Sequence, residues 1–187
     1  MNRTRIHRTV QMLCEGALMI VLAQVLDFVP LWKMPWGGTI SLNMVPMIFF
    51  ACRWGLGAGL LSGAVFGVVQ FMFNGGIALG WQSILGDYLV AYMALGLAGV
   101  FVGRRWSIYA GTAVGCAARF LVHYVVGATI WAENMPEVFF GLTMTSPWQY
   151  SLLYNGFYMG IDFVLCLAVF ALLSAPLGRY FLGSDLK

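Results

Sequence analysis

The sequence predicts an all-α membrane protein, a bundle of six transmembrane helices with the N- and C-termini cytoplasmic. Three observations predict it. Of its 187 residues, 61% are hydrophobic and only 9% charged, with a mean hydropathy of +0.84; a soluble domain carries roughly 25% charged side chains. Apolar runs recur along the chain, and a helix needs roughly 20 such residues to cross the hydrocarbon core. In lipid the backbone has no water to bond, so runs of this kind must be helical. Basic residues, finally, alternate between the segments that join the runs in the way that fixes membrane orientation.

The runs place spans at 9–30, 39–52, 55–73, 81–103, 107–131 and 150–181. Arg3, Arg5 and Arg8 precede the first, as in a signal peptide, but no small-residue cleavage site follows and the run continues to Val29, so it reads as an uncleaved span. The second is short enough to be tilted or partly re-entrant. The third carries Gly55, Gly59, Gly63 and Gly67, the fourth Gly99 and Gly103, and the fifth Gly111 and Gly115. Small residues four apart let helix backbones approach closely, so these read as packing seams and not as a pore lining. The sixth run is long and extends beyond the lipid. With the N-terminus inside, Arg3, Arg5, Arg8, Arg53, Arg104, Arg105, Arg179 and Lys187 fall on the inner side. Lys33 is the one basic residue of the outer loops, and Glu133 and Glu137 are also outside.

Residues 1–187 read as a single transmembrane domain, without repeats or a polar linker. A net charge of +3 with no basic cluster beyond the N-terminus excludes a nucleic-acid binder. Cys14, Cys52, Cys116 and Cys166 are widely separated in apolar surroundings and show no metal-ligand spacing. No cofactor is called for, and no phosphate loop of the form Gly-x-x-x-x-Gly-Lys-[Ser/Thr] occurs, so the chain does not read as an ATPase.

An ionisable group at the bilayer centre costs roughly 2.5–3.5 kcal/mol on insertion scales. Glu15, Asp87, Arg119, His123 and Asp162 therefore stand out. Arg119, His123, Gly127 and Trp131 recur every fourth residue and share one broad helix face. The topology brings Asp87, His123, Trp131, Tyr150 and Asn155 to one depth in the outer part of the bundle, near a first loop that holds Trp32, Trp36, Gly37 and Gly38. Trp54, Trp106 and Trp148 read as aromatic-belt residues. Arg119 has a structural alternative, pairing with Asp162, and Glu15 one of snorkelling or pairing near the inner face. An acid, a histidine, an asparagine and several aromatic faces suit a small, flat, cationic heterocycle: rings stack and attract cations, a carboxylate balances charge, and an Asn amide matches an amine beside a ring nitrogen.

Several stretches then resemble one known family. They are Gly37-Gly38-Thr39-Ile40-Ser41-Leu42, Asn43-Met44-Val45-Pro46, Leu85-Gly86-Asp87-Tyr88-Leu89-Val90-Ala91, Gly96-Leu97-Ala98-Gly99, Arg119-Phe120-Leu121-Val122-His123 with Gly127 and Trp131, and Tyr150-Ser151-Leu152-Leu153-Tyr154-Asn155-Gly156. In this order they resemble the thiamine-specific substrate-binding subunits of energy-coupling-factor vitamin transporters. The resemblance implies a six-helix protein that captures thiamine from outside and docks on a module of one transmembrane coupling protein and two ATPases. By position it implies that Trp36, Asp87, Tyr88, His123, Trp131, Tyr150 and Asn155 contact thiamine and that Gly127 leaves room for it. Some members have Glu at the position of Asp87. The Ala-x-x-x-Ala seam that members carry on the first helix for docking is imperfect here, with Ala17 and Ala23. Three other readings use the same residues: a proton-driven carrier with an Asp87–His123–Asp162 relay, an intramembrane enzyme, and a subunit for another flat heterocyclic vitamin.

Overall fold

The computed structural model describes residues 3–73, 77–104 and 106–186, except for the side chains of residues 3–5 and Trp36. The expectations for the Trp36, Arg3 and Arg5 side chains, Arg105 and Lys187 therefore lie outside the described residues. Among the described residues six main helical segments follow one another: α1 Arg3–Phe28, α2 Met44–Trp54, α3 Leu56–Phe73, α4 Trp81–Phe101, α5 Ser107–Thr129 and α6 Pro147–Phe181. Five are long and apolar enough to cross a membrane, whereas α2 has 11 residues. At 1.5 Å per residue α2 is about 17 Å long, well short of a hydrocarbon core of about 30 Å.

The segment boundaries follow from local chemistry. α1 stops at Phe28, two residues before Pro30, whose ring disfavours helix in the residue before it. The sequence placed the second span from residue 39, but α2 starts at Met44. Residues 39–40 instead form strand β2 (Thr39–Ile40), paired antiparallel with β1 (Trp32–Lys33), and a 3-10 turn at Pro35–Gly37 joins them. Gly55, at φ +90°, turns the chain from α2 straight into α3. α6 begins three residues earlier than expected, because the Ser146 hydroxyl accepts the Gln149 N–H as an N-cap and Pro147 suits the first turn.

The glycines of α3 are a packing seam. A Cβ on Gly63 would stand 2.4 Å from the Tyr92 carbonyl oxygen, and one on Gly67 2.3 Å from that of Tyr88. Gly59 similarly faces the Gly96 backbone. Helices pressed this closely gain van der Waals contact, the main attraction left to helices in lipid. The seam fixes the backbone of α4 against α3. Gly111 meets Ala98, and Gly99 meets Gly55, in the same way; Gly103 meets nothing and serves as a turn at φ +82°. α4 itself is irregular, with a π-helical stretch at Ile84–Val90 and a 3-10 stretch at Leu95–Phe101. A π turn inserts extra residues and re-aims the side chains it carries, and such turns recur at functional sites. Asp87 and Tyr88 lie inside it.

Two apolar clusters fill the bundle. One is central and includes Met44, Met47, Ile48, Phe66, Leu95, Ile108 and Phe170. The other, toward the β1–β2 end, is rich in aromatic residues, with Tyr150, Tyr154 and Tyr158 stacked at successive turns of α6 beside Met34, Ile40 and Met144. The outward faces carry bare aliphatic side chains, among them Leu13, Leu18, Val21, Val164 and Leu172, as a lipid-facing surface requires.

Candidate functional site: a polar cavity at one end of the bundle

A cavity opens between α4, α5 and α6 beneath the 29–43 loop. Its lining includes Asp87, Tyr88 and Tyr92 from α4, Arg119, His123 and Gly127 from α5, and Tyr150, Ser151, Tyr154, Asn155 and Tyr158 from α6; Trp131, Asn134, Ile77 and the 37–39 backbone complete it. α4 and α6 enter from this end and α5 leaves by it. Arg119, Tyr92 and Tyr158 therefore form the floor, and Trp131, Tyr150 and Gly37–Thr39 the mouth.

Asp87 is the best-connected group. Its Oδ1 lies 3.0 Å from His123 Nδ1. Its Oδ2 accepts from Trp131 Nε1 at 2.8 Å and from the Ser83 hydroxyl at 2.9 Å. The sequence foresaw convergence of Asp87, His123 and Trp131; the geometry adds that they bond one another. Four-residue spacing puts His123 a turn below Gly127, and the chain turn after Thr129 brings the Trp131 indole back over the carboxylate. If His123 gives its Nδ1–H to the Asp87 carboxylate, a neutral ring leaves Nε2 as an acceptor. His123 Nε2 is buried and has no partner among the described residues.

The remaining expected residues have more particular roles. Tyr88 lines the cavity while its hydroxyl donates to the Ile77 carbonyl at 2.9 Å, and its ring meets Phe71 edge-on. Tyr150 is buried edge-on against Phe139. The Asn155 amide is occupied internally: Nδ2 donates to the Ser151 carbonyl and hydroxyl oxygens, both at 3.0 Å, and more weakly to the His123 carbonyl at 3.3 Å. Its Oδ1 accepts from the Tyr158 hydroxyl at 3.2 Å. Its donor–acceptor edge is thus built into the wall that carries His123. Gly127 lines the cavity, but a Cβ there would stand 2.5 Å from the Ser151 hydroxyl and 3.1 Å from Asn155 Nδ2, so its lack of a side chain serves α5–α6 contact. The Trp36 side chain lies outside the described residues, although its neighbours Gly37 and Gly38 line the cavity.

Two structural alternatives resolve differently from their first reading. Among the described residues Arg119 has no ion pair with Asp162; its guanidinium lies 4.2 Å from the Tyr92 ring centroid, a cation–π contact. Asp162 instead accepts the Ser41 N–H at 2.9 Å and ties α6 to the first loop. Glu15 does pair, with Arg53 at 2.7 Å, and Trp54 donates to the same carboxylate, so Trp54 is not a simple belt residue. Trp106 and Trp148 are exposed, as belt residues are.

Sequence reasoning missed Ser83, Tyr154 and Tyr158. Tyr154 is the link to the first loop: its hydroxyl accepts the Gly38 N–H at 3.0 Å and donates to the Pro35 carbonyl. A Cβ on Gly38 would stand 2.7 Å from that hydroxyl, so only glycine fits beneath it. The available signal was the Tyr-x-x-x-Tyr-x-x-x-Tyr spacing of 150, 154 and 158 on one face of α6.

Comparison with known proteins bears on what this cavity serves. Residues 13–182 match the family model described as thiamine transporter protein. The chain is 32% identical over 176 residues to the thiamine transporter ThiT of Bacillus subtilis, covering 86% of this chain and 88% of that protein. It is 23% identical over 200 residues to ThiT of Lacticaseibacillus paracasei, covering 97% and 95%. Its fold matches a solved structure of ThiT from Listeria monocytogenes with a TM-score of 0.81 at 22% identity, over 92% of this chain and 98% of that one. These are transporters and not enzymes, and with its membrane-spanning helices the chain is a multi-pass bacterial membrane protein that belongs to the thiamine transporter family.

Proposed function

We propose that the cavity is the thiamine site and that the chain is the substrate-capture subunit of an importer energised in trans. The observation that carries this reading is the Asp87 carboxylate, held by three side chains at the edge of an aromatic cavity in a membrane protein. Thiamine carries a permanent positive charge on its thiazolium ring. Such a charge enters a low-dielectric site only against a compensating negative group. Asp87 supplies the charge, and its three contacts fix it in place so that little reorganisation accompanies binding. Trp131, Tyr150 and Tyr88 supply ring faces for stacking and cation–π attraction, and the family resemblance assigns Trp36 to the same site. His123 Nε2 is the free acceptor for an amine of the aminopyrimidine ring. Asn155, Ser151 and Gly127 act through the wall, holding the α5 backbone at His123 against α6. The basic residues on the inner side of the chain support an outward-facing cavity and cytoplasmic termini.

Energy coupling by one transmembrane coupling protein and two ATPases is supported by the sequence resemblance and by the lack of a phosphate loop in the chain. The lipid-exposed face of α1, which keeps Val10, Leu13, Leu18, Val21 and Val25 bare, is a surface on which such a partner can dock. The proton-carrier reading loses support, because Asp162 bonds to Ser41 and has no hydrogen bond to His123 or Asp87 among the described residues. Two experiments test the proposal. Tryptophan fluorescence of the purified protein, titrated with a panel of flat heterocyclic vitamins, should be quenched by thiamine at the lowest concentration. In vesicles, uptake should require the ATPase module and ATP; uptake by the chain alone down a proton gradient would replace this reading with the carrier.

A further inference from the structure

The connection from α5 to α6 folds as a hairpin that thiamine capture does not explain. Strands β3 (Val138–Phe139) and β4 (Leu142–Thr143) pair antiparallel, and the two-residue tip Phe140–Gly141 has φ of 51° and 75°. Two positive φ values at a two-residue tip mark the mirror-image turn in which Asn-Gly or Asp-Gly is strongly preferred. A bulky residue in the left-handed region is strained. In water, Asn at this position would relieve the strain and solvate the tip. A phenylalanine is favoured there only if its ring gains apolar surroundings.

The protein supplies part of them. Phe140 packs edge-on against Phe157 of α6 with ring centroids 4.9 Å apart. Even so, Phe140 is 59% exposed, Val138 58% and Leu142 52%. The contact with Phe157 says what covers the rest. Phe157 is itself exposed on the outward side of α6, and Val164, two turns further along the same face, is 62% exposed. That stripe belongs to the lipid-facing surface of a spanning helix, and the hairpin tip continues it. The depth also agrees. α6 has 35 residues, about 52 Å of helix against a hydrocarbon core of about 30 Å. Shared between its two ends, the excess of about 22 Å puts its first turns outside the core. Phe157, about 15 Å from the helix start, falls near the core's edge. The hairpin is graded accordingly, with exposed Glu133 and Glu137 before it and the apolar side chains toward its tip.

We propose that the 138–143 hairpin is a membrane anchor whose partner is the boundary between acyl chains and headgroups on the cavity side of the bilayer. Seating the tip there holds the neighbouring Phe139 edge-on to Tyr150, at 5.2 Å between centroids, and so fixes a wall of the cavity from the lipid side.

The test places an environment-sensitive fluorophore on Phe140→Cys in a Cys14→Ser background, Cys14 being the one exposed native cysteine among the described residues. A Glu137→Cys label is the reference, and both proteins are reconstituted in phosphatidylcholine vesicles. The label at 140 should emit to the blue of the label at 137, resist aqueous iodide, and lose intensity to lipids spin-labelled near the top of the acyl chain. Equal iodide quenching at both sites would overturn the anchor. If Phe140→Cys disturbs the tip, Leu142→Cys carries the same measurement with the same two outcomes. A second arm rests on the thiamine reading: Phe140→Asn, which suits the turn but removes the ring, should weaken thiamine binding in vesicles. Unchanged binding would overturn the link to Tyr150. The lipid-contact arm uses no thiamine, so failure of the anchor and failure of the thiamine site are told apart.

Discussion

Two buried charge clusters occupy opposite ends of this bundle, and they are built on opposite plans. At the end away from the cavity, Arg53 is almost fully buried and its bonding capacity is consumed. Nε and Nη2 donate to Glu15, Nη1 and Nη2 to Asp185, and Nη1 also reaches the Tyr180 carbonyl. Trp54 and Tyr180 lie against its faces. The cluster ties α1, the end of α2 and the chain's last turn together, and no cavity adjoins it among those described. At the other end, Asp87 is held just as firmly by Ser83, His123 and Trp131, yet it borders open space. Around the same cavity, His123 Nε2 and the Arg119 Nε and Nη1 atoms have no hydrogen-bond partner among the described residues. Both clusters bear the cost of charge in a membrane protein. Only the second leaves polar atoms unused, and unused buried polar atoms are costly unless something else binds them. A closed cluster holds helices together; an open one bordering a cavity is what the proposed thiamine site requires.

The largest expected effect is on the closed cluster. Arg53→Ala removes the cation between two acids that are each partly exposed, so the loss falls toward the lower end of the roughly 3–5 kcal/mol that breaking a fully buried pair costs. Thermal unfolding in detergent should show a strong loss of stability, while the folded fraction keeps its thiamine affinity. Loss of affinity with stability intact would mean the two ends are not separable.

Next comes Trp131→Ala, which removes a ring from the cavity mouth and a donor from Asp87. Stacking and cation–π attraction are together worth roughly 1–3 kcal/mol, about fivefold to a little over hundredfold in thiamine affinity. A titration giving the same affinity as Trp106→Ala, on the far side, would mean the cavity is misassigned.

Ser83→Ala is subtler. It removes one hydrogen bond to Asp87 without removing charge or stacking, a loss of about 1 kcal/mol, or roughly fivefold in affinity. Ser83→Thr, which keeps the hydroxyl, should lose less than the alanine variant when both are titrated. The smallest expected effect is Trp106→Ala itself, for which affinity should not change.

The contrast between the clusters also explains what could be read in advance. The six segments were legible because lipid forces long apolar runs into helices, and Asp87, His123 and Arg119 were conspicuous because charge is rare in such runs. The four-residue step from His123 through Gly127 to Trp131 then placed them together. Ser83, Tyr154 and Tyr158 gave no such signal, since serine and tyrosine are unremarkable in a membrane helix; Ser83 and Tyr158 bond neighbours on their own helices, whereas Tyr154 reaches back to residues 35 and 38. The Asn155 amide was visible, but its use by Ser151 and Tyr158 depends on how α5 and α6 meet. Asp162 was one candidate partner for Arg119, whereas α4 offers it the Tyr92 ring. α2 was drawn too long because Ile40 and Leu42 lead into its apolar run, although the backbone of residues 39–40 pairs with residues 31–33.

The central claim is that the open cluster recognises charge, and Asp87→Asn tests it most directly. The substitution keeps the size of the side chain and one oxygen to accept from Trp131 and Ser83, but removes the negative charge and puts an amide NH2 where an oxygen faced His123. Parent and variant are each titrated by fluorescence quenching with thiamine and with a neutral analogue lacking the ring charge. Thiamine should weaken by at least tenfold, about 1.4 kcal/mol, and the neutral analogue by much less. Unchanged thiamine affinity, or equal weakening of both ligands, would show that Asp87 holds the cavity's shape and does not read the charge of what enters it.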